Sequence, residues 1–174
     1  MVPREAGRAR YADAMVRRLP DPAYTAIAAV LTHPWFHPFH RRLYGRTGGR
    51  GVVGHALGVD MVLLGTTGRR SGRTRIVPLG AIRDGDAWVV IGSYGGRDVD
   101  PAWVLNLRAD PHATVQYRGV RVAVLAHEAD LTEAARLWPL VSTAYPGYQL
   151  YRKRTSRTVP LFILEPAAPP VNVA

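Results

Sequence analysis

The sequence predicts an α+β domain in which short antiparallel strands close into a small barrel. From residue 61 onward, short β-rich runs replace the helical pattern of the N-terminal segment. Two tight turns, "RDGD" at 83–86 and "YRG" at 117–119, join neighbouring runs as hairpins. The 174 residues are enough for one sizeable core, and no repeat or long linker divides the chain. Helices interrupting such a sheet are typical of an α+β barrel.

The first fifty residues form a predicted basic helical extension, residues 1–50, ahead of the barrel domain at 51–174. This segment carries nine arginines against three acidic residues. Prolines interrupt its helical pieces, and "RTGGRG" then ends it, because glycines break helices.

The barrel domain alternates predicted strands with helices. The strands are expected at 61–67, 74–83, 87–93, 113–118, 120–128 and 159–164. Asp100 as N-cap and Pro101 at the first helical position predict a helix that ends at Ala109. A second helix covers about 131–143, and a short third one follows Pro146.

Composition limits the function classes. The net charge is +10 and the isoelectric point is about 10.8, so an anionic partner is expected. The absence of cysteine excludes disulfides, thiolate metal sites and a cysteine nucleophile. The N-terminal residues lack the apolar region of a secretory signal, and "PAYTAIAAVL" is about half the length needed to span a bilayer. We therefore expect a cytoplasmic protein.

Three other patterns do not predict sites. "GRGVVG" at 49–54 has the spacing of a dinucleotide-binding loop, but no strand-like run precedes it and no acid follows at the distance of a ribose ligand. His33, His37 and His40 lie close together, yet prolines separate them and no acid or cysteine completes a metal shell. An aromatic hinge is the expected structure there. No metal site and no G-x-S-x-G hydrolase are predicted.

The stretch "GTTGRRSGRTRIVPLG" at 65–80 places four arginines among small residues between two apolar runs. No acidic residue occurs between Asp60 and Asp84. Arginine's planar fork suits bidentate phosphate binding, and glycines let a ligand approach the backbone closely. The stretch therefore predicts a phosphate or polyanion site, with a solvated hairpin turn as the alternative.

Two later stretches are also candidates. "GSYGGRDVDPAWVLNL" at 92–107 combines a glycine turn after Ser93 with a helix on which Trp103 and Asn106 share one face. "YPGYQLY" at 145–151 places three tyrosines at every third position, which fits either a core edge or a pocket wall of phenol donors. On the residues alone, core packing is favoured for both.

Together, "TTGRRSGRTRIVPL", "GSYGG" with "DPAWVLNLRADP", and "YPGYQLYRKRTSRTVPLFILEP" resemble the deazaflavin-dependent nitroreductase family over about residues 43–166. The resemblance implies a split β-barrel of the FMN-binding type, with about six mostly antiparallel strands and flanking helices. It implies an oxidoreductase that passes hydride from reduced deazaflavin coenzyme F(420) to a small electron-poor acceptor: a quinone, enone or nitroaromatic.

The resemblance also assigns residues. Those implied to hold the coenzyme's phosphate, tail or ring are Gly68, Arg69, Arg70, Ser71, Gly72, Arg75, Pro78, Tyr94, Gly95, Gly96, Ala102 and Trp103. Those implied to serve the reaction are Tyr145, Tyr148 and Tyr151 on the substrate side, and Ser93 beside the ring.

The sequence departs from the family pattern at four positions. Tyr94 stands where lysine is common, so Arg97 is expected to supply the missing cation. Arg70 replaces another lysine and keeps its charge. Gly80 and Ala102 are smaller than their usual counterparts, which puts the identity of the acceptor in question.

Several alternatives remain open. FMN could replace the deazaflavin, since the split barrel suits both. The protein could also be a non-catalytic carrier, and it could be a monomer or a homodimer.

Nucleic-acid binding is disfavoured because the arginine stretch contains no aromatic residue. "HPWFHPFHRRLY" alternates aromatics with cations, which predicts peripheral membrane contact, with a helix folded over the barrel as an equal alternative.

Overall fold

A computed structural model describes residues 59–167 together with residues 20, 22–23 and 26. Almost all of the predicted extension at 1–50 lies outside the described residues. So do "GRGVVG", the three histidines and the segment "HPWFHPFHRRLY". The domain division and the membrane contact of that segment therefore stay predictions. No helix in the described part of the chain is both long and apolar enough to cross a bilayer.

Six strands form the centre of the described chain. They are β1 (Asp60–Thr67), β2 (Thr74–Asp84), β3 (Ala87–Ile91), β4 (His112–Tyr117), β5 (Val120–Glu128) and β6 (Leu161–Pro166). They close into a barrel in the order β1-β2-β3-β6-β5-β4, and every pair is antiparallel. The predicted α+β fold with a closed antiparallel barrel is confirmed.

Three α-helices flank the barrel: α1 (Ala102–Ala109), α2 (Leu131–Ala144) and α3 (Gly147–Lys153). Helices α1 and α2 lie within two residues of their predicted ends, and α3 is the short helix predicted after Pro146. A single turn of 3₁₀-helix, Tyr94–Gly96, precedes α1.

The two predicted hairpin turns are present. Gly85, between β2 and β3, has a φ of 63°. Between β4 and β5, Arg118 and Gly119 both have positive φ, at 50° and 85°. Two successive left-handed residues match the right-handed twist of the flanking strands, so this turn lets the hairpin close without splaying.

The barrel interior takes alternate residues from all six strands. Because successive side chains of a strand point to opposite faces, each strand contributes every second residue. The interior set includes Val62, Leu64, Val90, Val115 and Phe162, and it also receives Trp103 and Leu107 of α1, which packs against the barrel.

A second apolar cluster covers part of the barrel's outer surface. Val89 and Ile91 of β3 and Leu161 and Ile163 of β6 face outward into this cluster. Helices α2 and α3 cover them, together with the three tyrosines, Tyr145, Tyr148 and Tyr151. Strands β3 and β6 are therefore buried on both faces, which explains their continuous apolar runs "AWVVI" and "LFIL".

Three local predictions were wrong. Asp100 does not cap α1: Pro101 is the N-cap residue, and no side chain caps this end. The carboxylate of Asp100 instead pairs with Arg108 at 2.6 Å and Arg157 at 2.7 Å, because two cations compete successfully with the backbone for it. Strand β3 ends at Ile91, two residues before the predicted end, because the 3₁₀ turn with Ser93 as its N-cap follows it. Strand β6 begins and ends two residues later than the predicted 159–164.

Helix α2 begins with a capping box that should contribute measurably to stability. Asp130 Oδ1 accepts a hydrogen bond from the Glu133 N–H at 2.8 Å, and Glu133 Oε2 accepts one from the Asp130 N–H at 3.0 Å. Asp130→Ala should lower the free energy of unfolding in urea by about 1 kcal/mol. Asp86→Ala, an exposed turn position, serves as the control. Equal stability of the two variants would contradict the assigned role of the cap.

Candidate functional site

A cavity of about 510 Å³ lies against the outer surface of the barrel, along β2. Val77, Pro78, Leu79 and Gly80 of β2 form its floor. The start of α1, the turn at Ser93–Gly95 and the three tyrosines form its walls. Most of the lining is apolar, so the cavity suits a ligand with a flat apolar body and few polar groups.

The two ends of the cavity differ in chemistry. Arg75 and Gly80 both line it and are five residues apart on β2, which corresponds to about 16 Å at the usual rise of a strand. Arginines surround the end at Arg75. A tyrosine hydroxyl lies beside Gly80 at the other end, because a β-carbon added there would meet Tyr148 Oη at 3.0 Å.

The arginine end is built by a compact turn, residues 68–73, between β1 and β2. The Gly68 N–H donates to the Arg73 carbonyl at 2.9 Å, and the Ser71 N–H donates to the Gly68 carbonyl at 2.9 Å. A β-carbon at Gly68 would lie 2.9 Å from Ser71 Oγ and 3.0 Å from the Arg73 carbonyl oxygen. Gly72 has a φ of 64°. Both glycines are therefore required by the shape of the turn.

The charges on this turn are not compensated locally. Arg69, Arg70 and Arg75 line the cavity, and none of them is ion-paired with a carboxylate in the part of the chain that the structure describes. Elsewhere in that part, Arg108 and Arg136 are paired with carboxylates. The cavity thus has an end with excess positive charge, which favours an anion.

A buried amide fixes this turn to the rest of the protein. Asn106, on α1, accepts a hydrogen bond from the Arg69 N–H at 3.2 Å and donates one to Thr66 Oγ1 at 3.0 Å. The side chains of Asn106 and Thr66 are almost fully buried. Asn106 therefore joins the turn, β1 and α1.

A second turn forms the wall beside Ser93. Ser93 is buried, and the next residue, Tyr94, has a φ of 47°, a left-handed conformation that is uncommon for residues other than glycine. Gly96 packs against α3, where a β-carbon would lie 2.8 Å from the Tyr151 carbonyl oxygen. The guanidinium of Arg97 lies over the Tyr94 ring, 4.8 Å from its centroid.

The three tyrosines form one aromatic cluster. The ring centroids of Tyr145 and Tyr148 are 5.0 Å apart, and those of Tyr148 and Tyr151 are 6.2 Å apart, both in edge-on contact. The hydroxyls of Tyr145 and Tyr151 are hydrogen-bonded at 3.0 Å. All three belong to the outer apolar cluster and also line the cavity. The two interpretations of these residues, core edge and pocket wall, are therefore both correct.

Burial changes the acidity of one of these phenols. Loss of hydration raises the pKa of Tyr148 well above its ordinary value, and its interaction with Tyr151 raises it further. Tyr148 is therefore a neutral hydrogen-bond donor throughout the neutral pH range.

The structure brings most of the predicted site residues together. Gly72 and Gly96 do not line the cavity and act through the shape of their turns, and Arg97 also lies outside the lining. The other fourteen line it, and for these the predicted coenzyme or substrate contact stays a prediction: Gly68, Arg69, Arg70, Ser71, Arg75, Pro78, Ser93, Tyr94, Gly95, Ala102, Trp103, Tyr145, Tyr148 and Tyr151.

Sequence reasoning did not assign two residues that shape the site. The sequence predicts that Asn106 shares a helix face with Trp103, but it does not predict that the Asn106 side chain bridges the arginine turn and β1. Arg157 holds the turn at Ser93 through hydrogen bonds to backbone carbonyls. It is one of several cations in "YRKRTSRTV", and nothing in that pattern indicates which of them is enclosed.

Comparison with known proteins identifies the family. The model of the family described as "F420H(2)-dependent quinone reductase" matches residues 37–166. The chain belongs to this family. An F420H(2)-dependent quinone reductase of Mycobacterium tuberculosis is 35% identical to it over 133 residues, which are 72% of this chain and 86% of the relative.

Solved structures agree with this assignment. A structure described as an F420-H2 dependent reductase is 35% identical and superposes with a TM-score of 0.57, covering 60% of this chain and 93% of the other. Another, described as a domain-swapped dimer, is 32% identical with a TM-score of 0.59, covering 74% and 98%. The predicted resemblance to deazaflavin-dependent oxidoreductases, the split barrel and the coenzyme F(420) are confirmed.

The bridge through Asn106 yields a testable consequence. Asn106→Leu keeps the side-chain size but leaves the Arg69 N–H and the buried Thr66 hydroxyl without this partner. We expect the free energy of unfolding to fall by about 1–3 kcal/mol, and coenzyme affinity to fall because the arginine turn is no longer fixed. Thermal or urea unfolding and fluorescence titration with the coenzyme measure the two effects.

Thr66→Val is the matched comparison for Asn106→Leu. It removes one hydrogen bond of the bridge but keeps the bond between Asn106 and the Arg69 N–H. It should destabilise the protein while weakening coenzyme binding less than Asn106→Leu does. If both variants bind the coenzyme with the affinity of the unmodified protein, the hydrogen bonds of Asn106 do not influence the arginine turn.

Proposed function

We propose that this protein transfers hydride from reduced coenzyme F(420) to a quinone-type acceptor in the cavity along β2. The observation that carries the proposal is the pairing of an apolar cavity with arginines that no carboxylate neutralises within the described chain. A coenzyme with an apolar ring and an anionic tail matches both parts of such a site. Membership of the family supports the same coenzyme.

The residues present fit the coenzyme's tail. Arg69, Arg70 and Arg75 offer guanidinium donors, and Ser71 adds a hydroxyl on the same turn. Gly68 leaves open the space that a side chain would fill. These residues would hold the phosphate and carboxylates of the tail, since bidentate arginine contacts with such groups are among the stronger hydrogen bonds in proteins.

The apolar part of the cavity fits the ring system. When bound, the reduced coenzyme supplies a hydride, so the protein itself needs no nucleophile or metal. Pro78, the turn at Ser93–Gly95 and Trp103 restrict where a ring can lie. Their apolar surface also excludes water, which is the contribution a protein makes when the cofactor carries the chemistry.

The tyrosine wall would serve the acceptor. Hydride addition to a quinone places negative charge on its oxygen, and a phenol can stabilise that charge by a hydrogen bond. Tyr148 is suited to this because its hydroxyl lies in the cavity beside Gly80. Tyr151 can act with it, through a hydroxyl already hydrogen-bonded to Tyr145.

Small residues favour a broad, flat acceptor. Gly80 and Ala102 both line the cavity and add little bulk to it. A quinone is the acceptor named in the family description. Enones and nitroaromatics share its flat, electron-poor character and are further candidates for the same position.

The arginine turn gives a prediction about binding. Arg69→Ala or Arg75→Ala should weaken coenzyme binding by roughly 10- to 150-fold, since a hydrogen bond to a charged group contributes about 1.5–3 kcal/mol. Fluorescence titration measures the affinity. Arg136→Ala removes the same charge from a site paired with Asp84, outside the cavity, and should change affinity little. Unaltered affinity in Arg69→Ala and Arg75→Ala would overturn the placement of the tail.

The tyrosine wall gives a prediction about rate. Tyr148→Phe and Tyr151→Phe should slow hydride transfer by roughly 10- to 150-fold while coenzyme affinity stays within a few-fold. Single-turnover oxidation of the reduced coenzyme by a quinone, an enone and a nitroaromatic measures it. Tyr117→Phe is the control, because its hydroxyl is hydrogen-bonded to Asp60 and lies outside the cavity lining.

The outcomes of this experiment separate the two roles of the tyrosines. Wild-type rates with all three acceptors would show that their hydroxyls serve packing alone. A collapse of coenzyme binding would instead place these tyrosines against the coenzyme rather than the acceptor.

The most direct test of the function compares coenzymes. Titration with coenzyme F(420), and with FMN as the comparison, followed by absorbance and fluorescence, measures how strongly the protein selects the coenzyme of its family. Turnover of the reduced coenzyme with a quinone then separates an enzyme from a carrier. A protein that binds F(420) but never oxidises its reduced form in the presence of quinone, enone or nitroaromatic is not the proposed reductase.

The assembly state is a separate part of the proposal. A homodimer is supported by the relative described as a domain-swapped dimer. Light scattering during gel filtration distinguishes it from a monomer.

A further inference from the structure

We propose that Arg157 is a positioning residue that orients two backbone N–H groups of the cavity wall toward the ring edge of the bound coenzyme. The proposal rests on the proposed function, because it assumes that the ring lies against the turn at Ser93–Gly95. Arg157 is not among the residues that line the cavity. It contacts backbone carbonyls of the turn that forms the cavity wall.

The contacts of Arg157 are unusual in number and kind. Its Nη2 donates to the Gly92 carbonyl at 2.7 Å and to the Ser93 carbonyl at 3.2 Å. Its Nε donates to the Arg97 carbonyl at 2.9 Å. Its Nη1 contacts Asp100 Oδ1 at 2.7 Å. One guanidinium thus contacts the backbone on both sides of the turn, at Gly92 and at Arg97.

These contacts determine which way two peptide groups face. In a trans peptide the C=O and the following N–H point in opposite directions, and the described chain contains no cis peptide. The carbonyls of Gly92 and Ser93 point toward Arg157, so the N–H groups of Ser93 and Tyr94 point away from it. Ser93 and Tyr94 line the cavity and Arg157 does not. The two N–H groups therefore face the cavity side of the wall.

Both N–H groups are available to a ligand. Neither donates a hydrogen bond within the part of the chain that the structure describes, whereas the N–H groups of Gly92, directly before them, and of Gly96, two residues after Tyr94, both do. Adjacent N–H groups that point the same way form a site for a carbonyl oxygen or another acceptor at the edge of a heteroaromatic ring. The cation behind the carbonyls also polarises both peptides, which strengthens the two donors.

The surroundings of Arg157 support a fixed arrangement. Its side chain is 15% exposed, and that of Asp100 is 18% exposed. The left-handed backbone of Tyr94 is a conformation that the surroundings must hold. Arg157 provides that restraint from both sides of the turn.

The test compares Arg157→Met and Arg157→Lys with Arg108→Met in the full-length protein. Arg108 shares the Asp100 carboxylate with Arg157 but makes no hydrogen bond to the turn within the described residues, so Arg108→Met removes one partner of Asp100 and leaves the carbonyl contacts intact. Coenzyme affinity, the single-turnover rate of the loaded enzyme with a quinone, the absorbance spectrum of the bound coenzyme and the melting temperature are measured for each.

We expect Arg157→Met to slow hydride transfer by about 10- to 100-fold, the effect of losing two oriented hydrogen bonds. Affinity should fall less than it does in Arg69→Ala or Arg75→Ala, since the arginine turn at 68–73 is untouched. The absorbance spectrum of the bound coenzyme should shift toward that of the free one. Arg157→Lys keeps the charge without the planar fork, so its rate should be intermediate. Arg108→Met should match the unmodified enzyme in rate and spectrum.

A measurement on the unmodified protein covers the case in which the variants do not fold. Amide hydrogen exchange at Ser93 and Tyr94 should slow when a deazaflavin riboside without phosphate and glutamates is added, because that fragment keeps the ring and lacks the anionic tail. Unchanged exchange at both amides would overturn the proposal. So would a folded Arg157→Met variant with a lower melting temperature but the unmodified rate and spectrum. An unmodified protein that never oxidises the reduced coenzyme would refute the proposed function instead, whatever the exchange data show.

Discussion

The double-sided burial of β3 and β6 is the constraint on which the rest of the structure depends. One face of each strand fills the barrel, and the other is apolar and must be covered by α2 and α3. The tyrosines of the cavity wall belong to that cover. The site therefore cannot be separated from the core: the hydroxyls that face the cavity are carried on rings whose packing helps to close the fold.

The arginine end of the cavity is held in place by hydrogen bonds rather than by apolar packing. The turn at 68–73 concentrates cations without adjacent acids, which costs free energy through mutual repulsion. Hydrogen bonds within the turn and the buried bridge through Asn106 hold it in place without neutralising it. The protein thus retains charge for an anionic ligand at one end and apolar surface at the other. An elongated coenzyme can use both in a single binding mode.

Local rules were enough to predict most of the fold. The hairpins followed from Gly85 and from "YRG", and the strands followed from β-rich runs between turns. The arginine turn was visible because four cations stood among small residues without an acid. Local rules failed at Asp100, where the predicted N-cap carboxylate is bound instead by Arg108 and by Arg157, the latter 57 positions away in the chain. The role of Arg157 depends on residues about sixty positions away in the chain, so no neighbouring residue could indicate it.

The carboxylate of Asp100 also connects distant parts of the chain. It binds Arg157 on one side and Arg108 on the other, and Arg108 in turn binds Glu128 at the end of β5. Two cations and two anions alternate along this path, so the set is neutral as a whole although no member is neutral alone. Loss of any single member leaves the set with a net charge, and the cost is greatest at Arg157 and Asp100, which are the least exposed of the four. Selection is therefore expected to act on the four positions as a unit, so that in related chains a change at one is accompanied by a change at another.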